Sequence, residues 1–345
     1  MNTAAPVCGR ERRAVKCARW LALLSLAFWL VGALYTDRYR WAQFVWWTPE
    51  ALFALVALPA FVGAMWTTMR RRALEASSMP LPVWRILQGI APFLIIAGNV
   101  IVSDVGWRRW DDGVWRDRSR LQLVQWNAGW PGSLAGEAPA STLLQLEPDV
   151  AVISNPYKLL GDGRQDRWRA QGYDIVNLGV FLVASRLPVI EARVVTSVAG
   201  RVGANVVVAR AGRVIRLLAV DLPSDPTESR RSVAERFREE LEGTATTEKA
   251  EGWDLVLGDL NIARGSESLV TMFDRPAWRF VDAWSSAGRG VGASWPSRLP
   301  FLHIDHVLLG PSVRAVQARF VDVGGSGHRA QQVTIELLPE SAAGR

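Results

Sequence analysis

The chain has 345 residues and a formal net charge of +7, long enough for more than one structural unit. That charge is unevenly placed: residues 1–120 hold 16 Lys/Arg against 8 Asp/Glu, and residues 121–345 hold 24 against 25. A domain that grips long nucleic acid carries its basic footprint on itself, so the near-neutral C-terminal two thirds argue against a long polynucleotide as partner. Only two cysteines occur, Cys8 and Cys17. The remainder of the chain therefore depends on neither disulfides nor thiolate metal sites, and cysteine usage leaves the compartment open.

Three apolar stretches follow a basic leader (1–19): Trp20 to Tyr35, Ala51 to Trp66 and Ile86 to Val102. Each falls slightly short of the roughly 20 residues that span a bilayer as a helix. Trp41, Trp46, Trp47, Trp84, Trp107 and Trp110 cluster near their ends, where indoles suit the boundary between headgroups and hydrocarbon. Buried core helices would need amphipathic partners that the sequence lacks. A cleaved signal peptide would need a small-residue site that Tyr35-Thr36-Asp37 does not supply. The pattern predicts three transmembrane helices, about 20–35, 47–66 and 85–104, inside a region 20–105 and followed by a linker, 106–120. The leader holds Arg10, Arg12, Arg13, Lys16 and Arg19, the first loop Arg38 and Arg40, and the second loop Arg70, Arg71, Arg72 and Arg85. By the positive-inside rule the N-terminus lies inside and the C-terminal domain outside. Arg108, Arg109, Arg116, Arg118 and Arg120 follow the third segment and run against that rule unless they meet anionic headgroups. The expected location is a multi-pass inner membrane protein with a periplasmic or extracellular domain, and membrane lipid is a partner.

From Leu121 the periodicity changes. Short β-branched or alternating runs, bounded by Gly, Pro, Asn or Asp, predict strands at Leu121–Trp126, Val150–Ser154, Phe181–Ala184, Val206–Ala209, Val214–Val220, Asp254–Leu257, Ile304–Leu309 and Val333–Leu337. Helices are predicted at Ser141–Leu146 and from Glu228 to Leu241, the second capped by Thr227 and ended by Gly243. Strands interspersed with helices, some of them hairpin-linked, indicate a two-sheet α/β sandwich over 121–340.

Polar residues stand where these strands end. Asn127 follows Leu-Val-Gln-Trp, Asp259 and Asn261 lie in Gly258-Asp259-Leu260-Asn261, Asp305 and His306 follow Ile304, and His328 closes a Gly-rich turn. Carboxylates and amides at strand ends can converge on one pocket, hold a hard divalent cation and position a phosphate. A histidine beside an aspartate can act as base or hydrogen-bond donor. Singly, each also reads as a turn residue or structural brace; His303 reads as packing or solvent-facing, and His306 as a brace.

The ordered set Asn127, Glu147-Pro148-Asp149-Val150, Ser185-Arg186-Leu187-Pro188, Gly258-Asp259-Leu260-Asn261, Ile304-Asp305-His306 and Ser326-Gly327-His328 resembles the endonuclease/exonuclease/phosphatase superfamily. That group has the DNase I-like fold and includes abasic-site nucleases, inositol polyphosphate 5-phosphatases and sphingomyelinases. Ser294-Trp295-Pro296 looks like its membrane-anchored bacterial branch. The resemblance implies a phosphodiester or phosphomonoester substrate and a Mg2+ or Mn2+ cofactor. It implies catalytic roles for Asp259 (orienting or deprotonating water), Asn261 (holding a phosphoryl oxygen), His328 (contacting the phosphate) and Asp305 (fixing the His328 tautomer). Asn127 and Asp221 would bind substrate, and Asn127, Asn155, Asp221 and Asp259 would surround the metal.

Three positions depart from the family. Ser154-Asn155 stands where Gln-Glu carries the principal magnesium ligand, Asp221 replaces a phosphate-binding histidine, and Gly327 replaces the aspartate of Ser-Asp-His. Magnesium generally takes one or two carboxylates, so these changes bear on the metal directly. Two functions follow: a membrane-anchored, metal-dependent phosphoesterase with an atypical site, or a catalytically impaired member serving as a tethered binding or assembly module.

Overall fold

The computed structural model describes residues 5–74, 83–108, 120–129, 137–157, 159–160, 163–244, 252–273 and 279–339. The chain divides into two units, Met1–Asp104 and Val105–Arg345.

The first unit is helical: α1 (Ala5–Tyr35), α2 (Arg40–Trp46), α3 (Glu50–Leu74) and α4 (Val83–Ser103). Part of the leader is continuous with the first apolar segment, since α1 is already helical from Ala5. The second predicted segment does not begin as one helix at 47. The chain breaks after Trp46 and restarts at Glu50 with a bend of 65°. Pro49 accounts for the break, because it disfavours the α conformation in the residue before it and fits at the start of the helix that follows, although Pro59 and Pro92 are carried inside α3 and α4. One stretch, Arg13–Tyr35, is long and apolar enough to cross a membrane; α2 with Glu50–Trp66 passes the same test as a bent pair, and Leu87–Ser103 is a shorter apolar helix. Among the described residues this gives one clear spanning helix, or two, against the three expected.

The packing of this unit is inverted relative to a water-soluble bundle. Many of its buried positions are small: Ala22, Ala57, Ala60 and Ala64 are at most 1% exposed, alongside buried Ile96, Asp37 and Gln43. Leu24, Phe28, Leu34, Leu55, Val62, Leu94 and Val102 point outward. Gly89 sits so close to α3 that an added Cβ would meet Ala64 Cβ at 2.7 Å. Small residues inside and large apolar residues outside is the arrangement favoured when the surroundings are themselves apolar.

The second unit is a sandwich of two six-stranded sheets. Its elements are β1 (Val105–Trp107), β2 (Arg120–Asn127), α5 (Glu137–Gln145), β3 (Val150–Ser154), α6 (Arg164–Ala170), β4 (Asp174–Asn177), β5 (Phe181–Ser185), β6 (Val189–Val198), β7 (Arg201–Arg210), β8 (Arg213–Asp221) and α7 (Arg230–Gly243). There follow β9 (Leu255–Asp259), α8 (Glu267–Met272), β10 (Val281–Asp282), α9 (Ala283–Ala287), β11 (Arg289–Val291), β12 (Asp305–Leu309), β13 (Val313–Val321) and β14 (Ala330–Leu337). One sheet runs β13-β14-β2-β3-β5-β4 and the other β10-β12-β9-β8-β7-β6, while β1 and β11 form a separate ribbon. Leu121, Leu123, Val150, Val152 and Val183 face Ala204, Val206, Leu217, Leu257 and Val307 across the central core. The next residues along the same strands face outward under helices, because side chains alternate along a strand. Trp126, Ala151 and Ile153 lie in a cluster with Leu143 and Trp168, and Leu218, Val220 and Val256 in one with Val233, Phe237 and Met272.

Every predicted strand is present. Edge strands β4, β6 and β13 were not expected: β6 and β13 carry bulges that shift the alternation, so period-two counting loses them. The α7 cap is Ser229, whose side chain accepts from Ser232 N. Thr227 is instead occupied with Asp225, which accepts from both its backbone N–H and its hydroxyl, each at 2.8 Å.

Sheet register brings the chemistry to one end. Parallel pairing places Asn127 beside Ser154 and Asp221 beside Asp259. The antiparallel β12 begins where β9 ends, pairing Asp305 with Asp259. Gly258 makes this junction feasible: its φ is 151°, and a Cβ there would meet the Val220 carbonyl oxygen at 1.8 Å. Gly258→Ala is expected to cost about 3 kcal/mol or more through strain at this special backbone position. Urea denaturation of the variant checks this; an unchanged midpoint would contradict it.

Candidate functional site

The residues singled out from the sequence meet at the carboxyl ends of β2, β3, β8 and β9 and the start of β12. Asn127 Nδ2 donates to Asp259 Oδ2 at 2.7 Å. Asn155 Nδ2 donates to Asn127 Oδ1 at 3.2 Å and to Asp221 Oδ1 at 3.4 Å. Across the site His328 Nδ1 pairs with Asp305 Oδ2 at 2.8 Å and lies 3.9 Å from Asp259 Oδ2. Asn155 and Asn261 have φ values of 53° and 49°, left-handed conformations that asparagine tolerates better than most residues. The sharp exit from each strand turns these side chains back toward the sheet ends.

Asn261 braces as well as faces the site. Its backbone N–H donates to Asp259 Oδ1 at 3.0 Å and its amide donates to the Leu222 carbonyl at 2.8 Å. His306 contributes nothing to this pocket; it points to the opposite face of β12, where its Nε2 meets the Ile262 carbonyl.

Several supporting residues escaped sequence reasoning. Gln125 is fully buried and donates to Asp305 Oδ1 at 3.1 Å; its one signal is a polar residue inside an apolar strand. Ser294 Oγ accepts from the Asp305 N–H at 3.2 Å. Ser326 Oγ donates to the Asn127 carbonyl at 2.7 Å and accepts from the His328 N–H at 3.0 Å, tying two ends of the site together. Ser326 lay in the terminal motif, but nothing in its spacing gave this bridging role.

Burial sets the electrostatics. Asp259 is pushed up to about 7, first by desolvation and then by the Asp305 carboxylate, against the pull of His328 and Asn127. Asp221 is raised well above the ordinary carboxylate range, again by desolvation and then by Asp259. For His328, desolvation favours the neutral ring, but Asp305 and Asp259 outweigh it and raise the group to about 9. Near neutral pH the site thus holds an imidazolium beside a carboxylate poised between its two forms.

Asp259, Asp305 and His328 offer ligand atoms within 4.8 Å of one another, close enough for one ion. The four-residue metal set expected from the sequence is arranged differently. Asn127 Oδ1 and Asp221 Oδ1 both accept from the same Asn155 nitrogen, and Asp259 Oδ2 accepts from Asn127. An amide nitrogen thus occupies the point where a hard cation needs oxygen. As arranged, these side chains do not fit a tightly held Mg2+ or Mn2+.

No protein-family profile matches the chain, and neither does any curated protein. Solved structures do match in fold. An endonuclease/exonuclease/phosphatase family protein from Bacteroides thetaiotaomicron is 14% identical at a TM-score of 0.50, covering 64% of this chain and 99% of that one. A mannosyl-6-phosphatase from the same organism (14% identity, TM-score 0.48, 62% and 99%) and D. rerio TDP2 in complex with a single-strand DNA product (17%, 0.47, 63% and 99%) are further matches. The C-terminal unit therefore has the DNase I-like α/β sandwich of the endonuclease/exonuclease/phosphatase proteins.

The raised values have a stability consequence. For Asp259, whose folded value lies above its unfolded one, the folded state binds more protons between about pH 4 and 7, so its contribution to stability falls across that window. The His328 contribution is complete below about 6.5 and disappears as pH rises through about 9. Asp259→Asn is expected to flatten the decline between about pH 4 and 7 and to move the alkaline one to lower pH, because Asp259 also helps to raise His328. Chemical denaturation of both proteins from pH 4 to 9 measures this; parallel curves would refute it.

Proposed function

We propose that the chain is a membrane-anchored phosphoesterase that acts on a phosphodiester or phosphomonoester outside the cytoplasm. The observation that carries the reading is the His328–Asp305 pair set against Asp259 at the ends of adjoining strands. In this reading Asp259, with a value near 7, takes a proton from the attacking water. The Asn261 N–H and Asn127 amide hold that carboxylate in place. His328, kept charged by Asp305, donates to the phosphoryl oxygen on which charge develops. Asn127 and Asp221 flank the phosphate position. A divalent ion in this fold would supply Lewis-acid stabilisation, but the Asn155 amide disfavours it and no step here depends on one. The near-neutral domain suits a small or lipid-linked phosphate better than a long polynucleotide.

The Asn155 amide bridge favours a second reading, a domain that binds phosphate esters on the membrane without turning them over. The two separate in an assay of bis-p-nitrophenyl phosphate hydrolysis by the full chain, with and without Mn2+. The enzyme reading expects measurable turnover that Asp259→Ala lowers at least about 100-fold. Turnover equal in both proteins, or none until Asn155→Glu and Gly327→Asp are introduced together, would sink it. The Gly327 change is sterically open, the nearest atom to a Cβ there being Trp295 Nε1 at 3.6 Å, whereas Glu at 155 restores a carboxylate facing Asn127 at some backbone cost, since φ there is 53°. Asn155→Glu alone is expected to tighten Mn2+ binding at least tenfold by calorimetry.

The anchoring is read as resting on the Arg13–Tyr35 helix, with the N-terminus inside and the C-terminal domain outside. Two features support it: the large apolar side chains that clothe the first unit and the Lys/Arg-rich leader and second loop. Alkaline carbonate extraction is expected to leave the chain in the membrane pellet, and protease added to intact spheroplasts to remove the C-terminal unit. Release into the supernatant, or protection from protease, would contradict anchoring or orientation respectively.

A further inference from the structure

A second group of ligating side chains lies on the other face of β12. Asp282 ends β10, His303 precedes β12, and His306 is its second residue. One ligand atom from each falls within 4.8 Å of the others. His303 and His306 are buried and stack ring on ring at 4.7 Å. Asp282 Oδ1 lies 3.6 Å from His303 Nε2 and 4.0 Å from His306 Nδ1.

The protonation pattern makes this cluster incomplete. The Ile262 carbonyl can only accept, so the 2.8 Å contact requires hydrogen on His306 Nε2. In the neutral ring Nδ1 is then a bare lone pair aimed at a carboxylate oxygen. Asp282 Oδ1, His306 Nδ1 and both nitrogens of His303 are buried without a hydrogen-bond partner among the described residues. The backbone of Gly292 acts on the His303 ring but does not reach hydrogen-bonding geometry. Burial holds both imidazoles toward their neutral forms, His303 with further help from His306 and Arg264, and His306 with help from Arg264 against the pull of Asp282. Facing acceptors left dry and unpaired are unfavourable. A proton can serve one of the three; one cation serves all three.

We propose that Asp282, His303 and His306 form a binding site for a divalent transition cation of the zinc class. Two imidazoles and one carboxylate are the donors such an ion takes, with bonds of about 2.0–2.2 Å and hence ligand separations of about 3.3–3.6 Å in a tetrahedron. The 3.6 and 4.0 Å from Asp282 need little contraction, and the two imidazole ligand atoms, within 4.8 Å of each other, close onto the ion with it. Outer contacts are already built. The Ile262 carbonyl fixes the His306 tautomer, as carbonyls do behind metal-bound histidines. Asp282 Oδ2 accepts from Ser285 N at 2.7 Å and Ser285 Oγ at 2.6 Å, leaving Oδ1 to point inward. The Arg264 guanidinium, 4.7 Å above the Trp284 ring, adds opposing charge, so Asp282 is the ligand that makes a cation acceptable. The role is structural: the ion pins β10 and the segment entering β12, the strand that delivers Asp305 to the other site.

The test uses the full chain purified in detergent with Cys8→Ser and Cys17→Ser to remove thiolate ligands, stripped with chelator and then titrated. One equivalent of Zn2+ should survive gel filtration and raise the melting temperature, whereas Mg2+ should do neither. Co2+ should give the visible absorption of a nitrogen- and oxygen-ligated tetrahedral ion. Asp259→Asn, in the other cluster, should leave this binding intact, and His303→Gln should weaken it at least tenfold. Absence of stoichiometric Zn2+ and of the Co2+ spectrum in the parent protein overturns the proposal without reliance on any variant. A folded His303→Gln protein that binds as tightly as the parent, or binding abolished by Asp259→Asn, overturns it as well.

Discussion

The buried Asp305 carboxylate is the contact on which the candidate site depends. It is fully enclosed, where a lone charge is costly, and each of its oxygens is taken. Gln125 of β2 donates to Oδ1 and His328, just before β14, pairs with Oδ2. Since β12 belongs to one sheet and β2 and β14 to the other, this one side chain joins both halves of the sandwich across their shared edge. The arrangement that holds the sheets together thereby fixes the charge and tautomer of His328, the strongest cation in the pocket.

A second constraint comes from crowding of acids. Asp221, Asp259 and Asp305 converge on the His328 imidazolium, which among the described residues offsets them. Two are held partly or wholly protonated by burial and mutual repulsion, and the amides of Asn127 and Asn155 bridge them. Their amide donors offset part of that repulsion, and because Asn155 reaches both Asn127 and Asp221 it shapes the whole wall and not a single contact.

The two histidines at 303 and 306 show how a strand separates functions. Asp305 and His306 are adjacent in sequence but face opposite sides of β12. One serves the pocket of Asn127, Asp259 and His328, and the other a buried cluster with Asp282 and His303. From sequence Asp305 reads as the partner of His328, His306 as a brace and His303 as packing or solvent-facing.

Much of the sandwich was legible because central strands are apolar and regular, and their ends are marked by Asn, Asp and Gly. Edge strands β6 and β13 were not, because bulges break their alternation, and the Thr227 cap failed because Asp225 competes for it. By itself the sequence determined the class of fold, the residues Asn127, Asp259, Asn261, Asp305 and His328 as candidates, and an apolar N-terminal region with a basic leader. Only the tertiary structure decided that Asn155 turns its amide into the expected metal position, that Gln125 and Ser326 hold the site, and that Pro49 divides the second apolar segment. The reason is physical: composition and periodicity record which face of an element is buried, whereas hydrogen-bond partners depend on strand register and on backbone turns that bring distant residues within 3 Å.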